Sequence, residues 1–438
     1  MLRDWDLSVR WAEELFEALR TVSVEAGKIT RPPYEAGEQK AHDLVAQTAR
    51  RLGMQVQTDC AGNLHMTLSC GRTQAKRWLT GSHLDAVPDG GNFDGAAGVI
   101  GGLMVAHALQ HHQLSLDHDL TVIAFRAEDA SSWFKGPHKS HFGSRALLGQ
   151  LSAEEMTAAK SLTDQRSLLE KIQLAGFDST QIASGRVHLN LNDVLGFVEL
   201  HIEQGPVLVE HQIPVGVVSS IRGTLRARNV SVLGAYAHSG AVPREYRQDA
   251  LMAAVELVHR LESQWDAWLK AGRDVVCTVG KFSTETGVDS LTKVPGRVDF
   301  TIDLRSQDIA LLEEADIFLR RCGDEISLQR SVRVHLGELD RVSPSLMNAE
   351  FQKKLHEVAQ GLGIAVETIA SGAGHDAANF AAVGVPTAMI FIRNDHGSHN
   401  RDEAMDIQDF GASVKLLAGF FLDRPNSASE MNRTRFVT

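Results

Sequence analysis

Residues 81–95 read GSHLDAVPDGGNFDG and place the imidazole of His83 and the carboxylates of Asp85 and Asp94 within a single short stretch. A strand-like stretch at 78–80 precedes it, and residues 96–109, small and apolar, predict a buried helix behind it. That order of strand, loop and helix puts His83 at a strand end and Asp94 in the loop, where both can reach one metal ion. Asp85, two residues after His83, is spaced to accept the other imidazole N–H, fixing the tautomer and making the ligand more basic. A His-x-Asp pair alone is usually structural, so the reading depends on matching chemistry elsewhere.

Three other segments carry it. Residues 121–129, TVIAFRAED, predict a strand ending in the adjacent acids Glu128 and Asp129. On an extended backbone neighbouring side chains point to opposite sides, so one acid can bind a metal while the other faces substrate. Residues 196–205, GFVELHIEQG, close another apolar strand with His201, and GSHNRDE at 397–403 puts His399 just after a strand ending at Ile392. With 19 histidines in the chain most must be ordinary, and His107, His111 and His112 read as helix-surface positions. His83, His201 and His399 share a place: at or just past the carboxyl end of an apolar strand, the edge where open α/β sheets build their sites. Three imidazoles with two or three carboxylates are too many for one tetrahedral zinc and suit two metals sharing a bridging carboxylate. Asp94, in its glycine-flanked loop, is the best bridge, which leaves Glu128 as general base on metal-activated water.

The elements that must position these residues follow from periodicity. Helical spacing at 41–52, 146–151 and 167–175 alternates with strand-like runs at 120–125 and 194–201, an α/β pattern with helices on both faces of a sheet. Near Ile213 the rhythm changes. Strands at 228–233, 275–282, 297–305 and 331–336, with helices at 249–261 and 309–322, give the ferredoxin-like order β-α-β-β-α-β. A helix at 350–362 and a strand at 386–392 then resume the first pattern. The expected organisation is a sheet domain over 1–212 and 339–438, interrupted by a smaller α+β domain over 213–338.

Composition narrows the class. The 438 residues are 43% hydrophobic and 23% charged, enough for a sizeable core in two domains. A net charge of −11 argues against nucleic acid as the main partner. No apolar run approaches 18 residues, so no membrane span is expected. Residues 1–19 read as an amphipathic helix without the apolar core of a signal peptide, and four scattered cysteines suggest no disulfide framework. A cytoplasmic location is the expectation, with a polar tail after Asp423 that frays.

The segments GSHLDAVPDGGNFDG, AFRAED, ELHIEQGPVLVE, AHSGAVPREYRQDA, VPGRVDFTIDLRS, SGAGHDA and GSHNRDE, in this order, resemble N-carbamoyl-L-amino-acid amidohydrolases and allantoate amidohydrolases. These belong to the dinuclear-metal aminoacylase and carboxypeptidase superfamily, and the likeness runs from about residue 10 to 423. The resemblance implies a mixed-sheet, aminopeptidase-like catalytic domain with an inserted lid and dimerisation domain, and hence a homodimer. It implies two divalent ions, zinc or else manganese, cobalt or nickel, one held by His83, Asp94 and His201 and the other by Asp94, Asp129 and His399. Glu128 would be the base and later the acid, and His238 would polarise the scissile carbonyl. Arg305 would pair with the substrate carboxylate, its planar fork making the two hydrogen bonds that Lys cannot. Gln204 and His375 match positions lining the pocket.

Three positions depart from the family pattern. Asp129 stands where the second acid is normally Glu, Ala130 where glycine usually follows, and Thr292 where a pocket asparagine is expected; the segment 131–141, SSWFKGPHKSH, is also unusual. The expected reaction is hydrolysis of a linear C–N bond in a carboxylate-bearing ureido compound. First comes an N-carbamoyl amino acid, giving the amino acid, CO2 and ammonia; allantoate or a related ureido acid is next. The rivals are an aminoacylase or dipeptidase acting on acyl amides, and a metal-poor relative that only binds.

Overall fold

The computed structural model describes residues 5–136 and 140–423, so the tail after Asp423 lies outside the described residues. The chain divides into two compact units, Met1–Ser219 with Met347–Thr438, and Ser220–Leu346. These limits differ from 213 and 338 for a topological reason. Val215–Ile221 starts as a strand of the first unit's sheet, antiparallel to Thr387–Ile392. At the other end Leu339–Val342 pairs with Gly223–Leu233 inside the second unit.

The first unit is built on a mixed sheet. Its strands run in the spatial order Val215–Ile221, Thr387–Ile392, Val194–Ile202, Arg77–His83, Asp119–Phe125, Leu64–Leu68 and Gln55–Thr58. Thr387–Ile392, Val194–Ile202, Arg77–His83 and Asp119–Phe125 are mutually parallel, so their carboxyl ends share one edge. Register brings His83 opposite Phe125 and His201 opposite Phe391 at that edge.

Alternation along Val194–Ile202 shows how both faces are covered. Val198, Leu200 and Ile202 join the main core with the helices Ala96–His111 and Ile407–Leu422. Phe197 instead stacks on Phe380 of the helix Asp376–Ala382, and Glu199 accepts the Ala377 N–H. Ala96–His111 is apolar on nearly every side and buried to match. Gly98 lets it approach, since a Cβ there would lie 2.2 Å from the Leu200 carbonyl oxygen.

In the second unit the strands Gly223–Leu233, Arg297–Ser306 and the shorter segments beside them pair antiparallel. Numbered in chain order, the four strand positions lie 4-1-3-2 across the sheet, the ferredoxin-like arrangement. The helices Ala250–Lys270 and Ile309–Arg330 close its own core, with Val298, Phe300, Ile302 and Leu304 facing them.

Three expected elements are revised. The helix expected at 146–151 is Phe142–Leu147, ended by Gly149 at φ 69°. The strand expected at 275–282 is Val276–Thr278 and Phe282–Thr284, split by one extra residue relative to its partner, a bulge within residues 279–281. The strand carrying the paired acids stops at Phe125, and Ala127 takes φ 54°, so Glu128 and Asp129 stand on a turn. The two acids are therefore not alternating neighbours on an extended strand.

Candidate metal centre

The parallel strands deliver their residues to one place. His83 is the last residue of Arg77–His83 and His201 the penultimate residue of Val194–Ile202, and both rings are buried. Asp94 follows in the loop that leads into Ala96–His111, and Gly95 beside it sits at φ 66°. A Cβ on Gly95 would come within 2.4 Å of the His83 ring, so only glycine leaves the imidazole its space. His399 lies seven residues beyond Ile392, is more exposed, and itself adopts φ 61°.

Asp94 sits at the centre. Its Oδ1 is 3.1 Å from His201 Nε2 and 3.5 Å from His83 Nε2, while its Oδ2 is 3.3 Å from His399 Nε2. Asp129 Oδ2 lies 3.4 Å from the same His399 nitrogen, and Glu128 Oε2 is 3.6 Å from His83 Nε2. Among the described residues the ligand atoms cluster as His83, Asp94 and His201, as Asp94, Asp129 and His399, and as His83, Glu128 and Asp129. Asp94 Oδ1 and Asp129 Oδ2 are buried without a hydrogen-bond partner, a costly state for carboxylate oxygens unless a cation satisfies them. The donor set, imidazole nitrogen and carboxylate oxygen around one shared carboxylate, fits a pair of divalent ions.

Electrostatics point the same way. His399 is pushed up to about 11 by Asp129 and Asp94. Burial works against a charge on His201, yet Asp94 raises it to about 9. Burial would raise Asp94, but His201, His399 and His83 hold it well below the usual carboxylate range. The acids thus draw protons onto the imidazoles, and a bound cation would displace those protons.

A supporting layer fixes these groups. Asp85 accepts the backbone N–H of Glu128 at Oδ1 (3.0 Å) and of Asp129 at Oδ2 (2.9 Å), tying both acids to the first motif. His83 Nδ1 is 3.1 Å from the Asp85 main-chain oxygen and 3.3 Å from its carboxylate, so the backbone is its nearer partner. His201 Nδ1 faces the Ile202 carbonyl at 2.9 Å. Gln204 Nε2 donates to Asp94 Oδ2 at 3.1 Å and lies 3.3 Å from His399 Nε2. His375 packs edge-on against His201 with centroids 4.5 Å apart, and its Nε2 is 2.9 Å from Ser371 Oγ.

Several supporting residues escape sequence reasoning. Glu403 Oε1 accepts the N–H groups of Phe93 and Asp94 at 2.7 and 3.3 Å, and burial with Asp94 nearby pushes its carboxyl up to about 7. Ser398 Oγ hydrogen-bonds Asp94 Oδ2. Both stand inside the GSHNRDE segment, where only His399 drew attention. Arg126 donates to Glu38 Oε2 at 2.8 Å, and Glu38 Oε1 accepts Ala127 N–H, which braces the turn under Glu128. His141 Nε2 lies 3.0 Å from Glu128 Oε1. Burial would raise Glu128, but His141 and His83 bring it down to about 2.

The remaining expected site residues belong to the second unit. His238 is exposed on the short strand Ala237–His238, paired with Lys293–Val294, and its Nδ1 accepts the Gly240 N–H. Thr292 is next to it, its carbonyl accepting the Ser239 N–H at 3.0 Å. Arg305 lies on the sheet face away from the helices, its Nη2 2.8 Å from Asp303 Oδ2.

Residues 79–423 match peptidase family M20/M25/M40. The chain is 31% identical to an N-carbamoyl-L-amino acid amidohydrolase of Geobacillus stearothermophilus, over 90% of this chain and 92% of that protein. It is 29% identical to an allantoate amidohydrolase of Bacillus subtilis, over 89% and 91% of the two chains. Among solved structures, an amidase of the hydantoinase/carbamoylase family from Burkholderia multivorans superposes with a TM-score of 0.82 at 28% identity. That likeness covers 94% of this chain and 97% of the other.

Proposed function

The chain belongs to peptidase family M20/M25/M40, and on that premise we propose that it hydrolyses the linear C–N bond of N-carbamoyl amino acids or related ureido acids. The observation that carries this reading is the gathering of His83, Asp94, His201, Asp129 and His399 around orphaned carboxylate oxygens, with Glu128 alongside. His83, Asp94 and His201 would hold one divalent ion, and Asp94, Asp129 and His399 a second, sharing Asp94. Bound there, such ions would supply Lewis acidity and lower the pKa of water toward about 7.

The side chains then divide the work. Glu128 takes the proton of the attacking water and carries it to the leaving nitrogen as the C–N bond breaks. An N-carbamoyl substrate yields the amino acid and carbamic acid, which falls apart to CO2 and ammonia. Asp85 and Glu403 hold the main chain of the acids in place. In this reading the second unit contributes His238 toward the scissile carbonyl and Arg305 toward the substrate carboxylate, and serves as lid and as the contact of a homodimer. Gln204, His375 and Thr292 complete the pocket. No helix among the described residues is long and apolar enough to cross a membrane; a cytoplasmic location is part of the proposal.

The deciding experiment assays ammonia release from a panel of N-carbamoyl amino acids, allantoate and acyl amino acids, with zinc, manganese, cobalt or nickel. Turnover of a ureido acid supports the proposal. Release of a carboxylic acid from acyl amides alone would assign the chain to aminoacylase chemistry. Tight binding without turnover would make it a binding relative.

A further inference from the structure

His141 has no role in the reaction as assigned above, yet its ring is held against Glu128. Its backbone takes φ 56°, a left-handed conformation that non-glycine residues seldom adopt. Three successive amides, those of His141, Phe142 and Gly143, donate to the carbonyls of Glu128, Ala127 and Arg126 at 2.9, 3.1 and 2.9 Å. This zipper brings the ring back over the turn, where Nε2 meets Glu128 Oε1 at 3.0 Å. Gly374 supports the ring from another side: a Cβ there would lie 2.9 Å from His141 Cε1 and 3.1 Å from Nε2.

Glu128 has two possible fates. Its Oε2 lies toward His83 Nε2, and His83, Glu128 and Asp129 form one of the three groups among the described residues whose atoms converge closely enough to hold an ion. A carboxylate free to turn about its broad terminal torsion could offer both oxygens to a cation and cease to be a base. The contact from His141 occupies Oε1 and leaves only Oε2 facing the centre. We propose that His141 is a positioning residue that keeps Glu128 a proton carrier and prevents it from becoming a ligand. This rests on the reading of Glu128 as general base.

The test compares His141→Leu with His141→Gln, which retains a side-chain donor, each alone and combined with Glu128→Gln. With a turned-over ureido substrate, His141→Leu is expected to lower kcat about 10- to 100-fold with KM little changed. His141→Gln should recover part of that loss, and neither change should cost further in the Glu128→Gln background. Metal titration should show His141→Leu binding ions as tightly as wild type or more tightly. Unchanged kcat, a loss confined to KM, weaker metal binding, or an equal loss in the Glu128→Gln background would each overturn the proposal. Should wild type turn over nothing, the function fails separately, and the contact is still read by the ring N–H proton in a histidine-selective nitrogen spectrum. That signal should vanish in His141→Gln and shift in Glu128→Gln; a signal indifferent to Glu128 would overturn the positioning role.

Discussion

Glu128 and Asp129 are the same functional group one methylene apart, and their surroundings separate them. Glu128 Oε1 faces His141, whereas Asp129 Oδ2 is buried without a hydrogen bond beside His399. Replacing Glu128 by Gln keeps shape and an oxygen but removes the proton carrier. Turnover should fall by about 10²–10⁴-fold, with metal content by emission spectroscopy unchanged. An active, fully loaded variant would refute the assignment. Replacing Asp129 by Ala should instead lower the metal bound per chain from two equivalents toward one; full retention would exclude Asp129 as a ligand. Much of this centre was legible because His83, Asp94 and His201 take their places from strand ends and a glycine-bounded loop, both visible as patterns. His141 was not. Its contact with Glu128 arises from a left-handed backbone in a loop, which no spacing rule marks.

The turn over residues 126–129 is the element on which both acids depend, and it is held from below by charge. Glu38 and Arg126 form a buried pair at 2.8 Å, and Glu38 also accepts the N–H groups of Tyr34 and Ala127. Sequence reading expected a continuous strand here because TVIAFRAED is apolar up to Phe125; the positive φ of Ala127 is imposed by tertiary hydrogen bonds. Replacing Arg126 by Met strands the Glu38 carboxylate in the interior and should cost about 3–5 kcal/mol in denaturant melts. Adding Glu38→Gln should return part of that loss; no recovery would mean that the charge is not what matters. The helix Ala36–Arg51 carries a pH-sensitive member as well. His42 is buried, and burial together with nearby Arg126 lowers its pKa well below the usual imidazole value. The unfolded chain takes up this proton near pH 6.5 while the fold refuses it, so stability falls as pH drops below about 6.5. The contribution approaches about 1.4 kcal/mol per pH unit. His42→Leu should flatten the acid limb of a stability-against-pH curve between about 6.5 and 5, and an unchanged slope would remove His42 from the account.

At the scale of the whole chain, the candidate ligands and the supporting layer fall on one side of a covalent boundary. His83, Asp94, Glu128, Asp129, His201 and His399 all belong to the first unit, while His238, Thr292 and Arg305 belong to the second. The change of rhythm near Ile213 falls close to Ser220, where the second compact unit begins. The unit's limits did not show in the sequence, because strands that begin in one sheet and hairpins that close another have the same local pattern. The first unit has its own core around Ala96–His111, and the second has its own around the helices Ala250–Lys270 and Ile309–Arg330. The chain leaves and re-enters the first unit at neighbouring points, since the Met347 N–H donates to the Ser219 carbonyl at 3.0 Å. A short flexible linker from Ser219 to Met347 therefore closes the gap without stretching the backbone, and its entropic cost is small. The shortened chain is expected to unfold cooperatively and to bind the same metal equivalents as the parent in a titration, because no proposed ligand has been removed. It should release no ammonia from any ureido acid that the intact chain hydrolyses, because His238 and Arg305 are gone. Retained turnover would show that the second unit contributes nothing to the reaction, and loss of metal binding would show that the centre is not assembled by the first unit alone.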